Sequence, residues 1–157
     1  FPALALGVGE GNPAVMQHPP RDSQEPILTR RYWILIGVYG LIIATAVLGI
    51  FSVALQVLNL ELEQAVTISF LTLAFARLWH VFNMRELNSG LFHNEITTNP
   101  HIWGALVICT GLLLAATYAP GLSTVLQLVN PGIQGWGLIL GSSLVPLVLG
   151  QLVHHWR

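Results

Sequence analysis

The chain has 157 residues, a formal net charge of -1, 54% hydrophobic residues and only 8% charged ones. A soluble domain carries about 25% charged residues, and six Arg with no Lys beside seven acidic residues cannot coat a 17.1 kDa soluble protein. This composition excludes a soluble globular domain, a disordered chain and a nucleic-acid binder, which needs a basic patch, and leaves an integral membrane protein.

Residues 1–31 contain Pro2, Pro13, Pro19, Pro20 and Pro26. Proline fixes its own φ and lacks an amide donor, so this stretch is expected to be an irregular segment. It has no basic region followed by an apolar stretch and a cleavage site, so it is not a signal peptide. Its start at Phe1, without an initiator Met, points to a piece of a longer protein. Residues 32–157 then hold four apolar runs, at about 33–54, 65–83, 102–118 and 136–153, each near the ~20 residues that cross a bilayer as a helix. The first, third and fourth are free of charge, and the second contains Arg77 and His80. The expected fold is therefore all-α: an antiparallel bundle of four transmembrane helices with an irregular cytoplasmic N-terminal segment. The lone Cys109 excludes an internal disulfide framework.

Arginine placement sets the expected orientation. Arg21, Arg30 and Arg31 precede the first span, Arg85 follows the second and Arg157 follows the fourth, so four crossings put all five on one side. The positive-inside rule makes that side cytoplasmic, with both termini there. The other side receives Glu61 and Glu63 and the uncharged Asn130-Pro131-Gly132 turn. Trp33, Trp103 and Trp136 fall at span ends, where interfacial aromatics collect. Asn99-Pro100 starts the third helix at a position where proline costs little, and Pro146 should kink the fourth helix or free a carbonyl.

Arg77 is the residue most suggestive of chemistry. A charge inside a span is costly and is rarely kept without a partner. It is either a fixed cation in or beside an ion path, or an arginine that pairs outside this chain or snorkels to the headgroups about one turn away. No Asp or Glu lies in the four spans to neutralise it. His80, one turn on, lacks further ligands at helical spacing, and His154 and His155 read as a headgroup-facing end. Gly137 and Gly141, Gly111 and Ala115, and Gly40 and Ala44 form small-xxx-small pairs that permit close helix approach. Thr67, Ser69 and Thr72 can bond either an i−4 carbonyl or an ion. No nucleophile–base set, phosphate loop, metal cluster or cofactor site is visible in the chain.

Several motifs resemble P-type cation-transporting ATPases of the calcium-pump type, especially bacterial ones. Phe1-Pro-Ala-Leu-Ala-Leu-Gly7 is similar to the exit from that family's sixth transmembrane helix. Val15-Met16, Pro19-Pro20-Arg21-Asp22 and Glu25-Pro26-Ile27-Leu28 are similar to its loop between helices six and seven. Ala74-Phe75 with Leu78-Trp79-His80-Val81-Phe82-Asn83-Met84-Arg85 resembles the end of helix eight. The resemblance covers essentially the whole chain. It implies a pump that hydrolyses ATP through an aspartyl-phosphate, with this chain as the loop after helix six and helices seven to ten. ATP and magnesium then belong to the parent, and the chain has no activity alone. Its implied partners are the lipid bilayer, helices one to six and the cytoplasmic domains, in the cell (inner) membrane. Pro19, Pro20 and Arg21 would form a coupling loop, although His18 stands where many relatives have a basic residue. Arg77 falls where the two-site calcium pumps of the family carry an ion-binding helix-eight Glu. Guanidinium is a donor only and cannot ligand calcium, so Arg77 is expected to act as a built-in counter-charge. The alternative is a free-standing four-helix protein that assembles with or regulates another membrane protein. A channel or secondary transporter is a more distant reading.

Overall fold

The computed structural model describes residues 1–8, 28–84 and 96–155. Six α-helices lie among them: α1 (Pro2–Val8), α2 (Arg30–Gln56), α3 (Leu62–His80), α4 (Pro100–Tyr118), α5 (Pro120–Leu126) and α6 (Gly132–His155). A short 3-10 helix, Val81–Met84, extends α3. No strand occurs among the described residues. Helices α2, α3, α4 and α6 are long and apolar enough to cross a membrane, as an all-α four-helix bundle requires.

Local chemistry sets the helix ends. Asn99 caps α4: its side-chain oxygen accepts from the His101 amide at 2.9 Å, and Pro100 fills the first helical position, where no donor is needed. The Asn130 side chain accepts from the Gly132 amide at 2.9 Å, and Gly132 holds φ at 69°, a conformation open to glycine, at the start of α6. In the α2–α3 turn Asn59 adopts φ 50°, and the Leu60 amide returns to the Ala54 carbonyl at 3.0 Å.

Two short helices depart from the sequence reading. Composition alone made residues 1–31 irregular rather than a long helix, while the resemblance put the end of helix six at their start. Pro2–Val8 is a seven-residue helix, with Pro2 at the first position, where its missing amide costs little. The connection after the third span was expected to be a plain turn at Asn130-Pro131-Gly132. It also holds α5, separated from the end of α4 by Ala119 alone, with Pro120 again at the helix start.

Packing within the bundle is uneven. α3 lies most extensively against α6, then against α2, and α2 also meets α6. Half of the α3 span is buried, against 6% of the α2 span. Ile68, Leu71 and Ile139 are fully buried at this centre. α4 stands at the edge and carries α1 and α5. Contacts between α3 and α6 advance in the same sense along both helices, from Ile68 at Gly135 to Trp79 at Ser143 and Asn83 at Pro146, so the two helices run parallel.

Candidate functional site

α3 presents two different faces. Thr67, Ile68, Leu71, Thr72, Phe75 and Leu78 are buried in the bundle. Val66, Phe70 and Arg77 are exposed, at helical spacings of four and seven. Arg77 therefore projects from the side of α3 that the described residues leave uncovered. Among the described residues its guanidinium makes no hydrogen bond or ion pair. Glu63, at the far end of α3, lies 14 residues away, about 21 Å along the helix. The nearer end, Met84, is seven residues on, about 10 Å.

On the inner side of the same end, α2, α3 and α6 meet through polar groups. The Tyr39 hydroxyl donates to the Gly150 carbonyl at 3.3 Å, and its ring meets His80 edge-on at 4.7 Å. The Gln151 amide donates to the Phe82 carbonyl at 3.2 Å and to Asn83 Oδ1 at 2.8 Å. Asn83 Nδ2 reaches the Pro146 carbonyl at 3.4 Å. Gly150 allows this crowding: a Cβ there would lie 2.8 Å from Tyr39 Cε1 and would collide with Asn83 Nδ2. His80 Nδ1 and Gln151 Oε1 are buried without a hydrogen-bond partner. Tyr39, Gly150 and Gln151 carry no motif in the sequence, and Asn83 stands out there only as part of the helix-eight resemblance. The available signal was an amide side chain at the end of each of two apolar runs, but nothing in one sequence says that those runs are neighbours.

The hydroxyls of α3 divide. Thr67 and Ser69 donate to the Glu63 and Ala65 carbonyls at 2.9 and 2.8 Å, which is the back-bonding alternative. Thr67 Oγ1 also accepts from the Val129 amide at 3.1 Å, tying the segment before α6 to α3. Thr72 Oγ1 is buried without a partner.

The structure puts Gly137, Gly141, Gly111 and Ala115 on exposed surface, and a Cβ at any of the three glycines would meet no atom within 4 Å. Close approach inside the bundle occurs at Gly135, against Ile68 and Pro131, and at Gly150. Small-residue spacing marks a permissive stripe without saying which way it points. Pro19, Pro20 and Arg21 lie outside the described residues.

The match to known proteins is extensive. The family model for the C-terminus of cation-transporting ATPases matches residues 1–156. The chain belongs to this family. Among curated cation-transporting ATPases it is 31% identical over 157 residues to the calcium-transporting ATPase of Bacillus subtilis, a match covering 98% of the chain and 17% of the relative. It is 28% identical to a calcium-transporting ATPase of Listeria monocytogenes, with the same coverage. It is 26% identical over 167 residues to calcium-transporting ATPase 1 of Bacillus cereus, with 98% and 19% covered. The chain thus spans less than a fifth of the length of these relatives. It is a cation-transporting ATPase C-terminal domain, integral to the membrane, and its four spanning helices agree with that assignment.

Proposed function

We propose that this domain works as the C-terminal membrane part of an ATP-driven cation pump, bracing the transport helices and linking them to cytoplasmic domains, with no ATPase or transport activity alone. The observation that carries this reading is a family match over residues 1–156 in a chain that covers only 17% of its calcium-transporting relatives. The partners are the preceding transmembrane helices, the cytoplasmic domains and lipid. ATP and magnesium act in those other domains. Calcium is the proposed cargo, because the relatives are calcium-transporting ATPases. Both ends of the chain are assigned to the cytoplasmic side of the cell membrane, where the Arg30 and Arg31 charges at the start of α2 belong. Pro19, Pro20 and Arg21 are assigned to the coupling loop. The Gly137–Gly141 pair on α6 and the Gly111–Ala115 pair on α4, exposed among the described residues, are available to neighbouring helices.

Arg77 is proposed as a fixed counter-charge on the face of α3 that meets the transport helices. Its exposure, with no ion pair among the described residues, supports that role. A guanidinium repels a cation bound beside it, more strongly in low dielectric. The experiment is ion stoichiometry in the full-length pump. One bound calcium per pump, rising to two with Arg77→Glu, is expected, and two with Arg77 intact would sink the assignment. ATP hydrolysis by the isolated chain would overturn the larger reading.

A further inference from the structure

We propose that α5 is an interfacial helix, bedded at the boundary between headgroups and acyl chains on the side of the membrane that receives the α2–α3 turn. Four observations converge on it.

None of its seven residues is buried. Its large side chains fall on one face: Leu122, Val125 and Leu126, at i, i+3 and i+4, are 50%, 79% and 49% exposed. The opposite face needs little from water. Thr124 Oγ1 donates to the Pro120 carbonyl at 2.6 Å, so this hydroxyl is satisfied within the helix.

Chain geometry holds α5 at the membrane surface. Only Ala119 separates it from the end of α4, and α6 begins six residues after it ends. Its far end is fixed as well. Gln127 takes φ 54°, and the Gln127 and Leu128 amides return to the Thr124 and Ser123 carbonyls at 3.3 and 2.9 Å, a Schellman closure. Leu128 is buried, and the next amide, Val129, is tied to Thr67. The helix is thus a fixed ledge on the bundle.

The neighbouring aromatics mark the level. Trp136 Nε1 donates to the Tyr118 hydroxyl at 2.7 Å, and the rings stack at 6.4 Å. Tyr and Trp with apolar bodies and satisfied polar tips gather at headgroup depth. No Arg, Lys, Asp or Glu occurs between Glu95 and Arg157, so nothing charged draws this connection into water. The adjoining helices also carry uncovered large side chains, Leu114 on α4 and Ile133 on α6. Lipid is the occupant that fits an uncharged, exposed apolar face held by short connections between two candidate membrane spans.

The test places a single fluorophore on this face. Cys109→Ser removes the native thiol. Val125→Cys and, in a second protein, Leu122→Cys then carry an environment-sensitive label. Glu61→Cys, in the α2–α3 turn, gives the aqueous reference. The full chain is reconstituted into phosphatidylcholine–phosphatidylglycerol vesicles containing lipid with a nitroxide near the head or near the tail of the acyl chain. Both α5 probes are expected to emit to the blue of the Glu61 reference, and the shallow nitroxide should quench them ~2-fold more than the deep one. Emission matching the reference without lipid quenching would mean a water-exposed loop and would overturn the proposal. Blue emission that neither lipid quenches would mean a protein cover and would also overturn it. Stronger quenching by the deep nitroxide would reject the boundary placement. Two labelled positions keep the test decisive if one variant does not insert.

Discussion

The Asn99 amide offers one oxygen and one NH2 group, and each serves a different helix. Its oxygen caps the start of α4, while Nδ2 donates to the Ala5 carbonyl at 3.2 Å. Ala5 lies in the last turn of α1, where carbonyls run out of intrahelical partners. Asn99→Asp keeps the acceptor but loses the donor and faces a carbonyl with a carboxylate. We expect it to cost about 1 kcal/mol, and Asn99→Ala about 2 kcal/mol, since the latter loses both bonds. Thermal unfolding followed by circular dichroism in detergent checks the order. Equal losses would mean that the cap to α4 contributes nothing. Gly150 poses a steric question instead. Gly150→Ala drives a methyl into Asn83 and Tyr39, and overpacking of this kind should cost about 1–3 kcal/mol in the same assay.

Among the elements, the four long helices were legible because run length and absence of charge are properties of the chain itself. α5 was not. Seven residues give no periodic signal against a background that is already apolar, and Pro120-Gly121 reads equally well as a turn. α1 was invisible to composition in a proline-rich segment and was suggested only by the helix-six resemblance. The faces were harder still. The Gly137–Gly141 spacing suggested a contact, yet the close approaches fall at Gly135 and Gly150, because one sequence does not record which helices are adjacent. Arg77 was legible as an anomaly, and its outward position was not, since that depends on α6 and α2 claiming the other side of α3. α5 invites a test of its own end. Gln127 holds a left-handed conformation that costs an L-residue roughly 1–2 kcal/mol, partly offset by the chain entropy a glycine would bring. Gln127→Gly should therefore stabilise the protein by about 0.5–1 kcal/mol, read as a raised unfolding midpoint. A lowered midpoint would show that the Gln127 side chain holds the loop.

For the whole molecule, the division between a packed trio (α2, α3 and α6) and an outlying α4 separates stability from assembly. Gly141 is exposed and unopposed, so Gly141→Leu should leave the stability of this chain within about 0.5 kcal/mol of the original. In a full-length pump the same change should reduce the yield of assembled, detergent-stable protein if the proposed contact with another helix forms there. Unchanged yield would mean that the stripe meets lipid.

The parallel course of α3 and α6 has an electrical consequence. Every α-helix carries about half a positive charge at its N-terminus and half a negative one at its C-terminus. The two helices with the largest shared contact therefore add their fields, while α2 and α4 run the other way. The end of the bundle at Asn83 and Gln151 is a pair of negative poles set side by side. Inside a bilayer, where water and salt do not screen them, these poles reach further than they would in a soluble protein. Arg77 stands at this end, in the last turn of α3. A guanidinium there recovers part of its insertion cost, about 0.3–1 kcal/mol for a pole in water and more in a dry setting. Replacing Arg77 with a neutral residue would thus do more than delete a positive charge. It would also leave the C-terminal pole of α3 without the cation in its last turn.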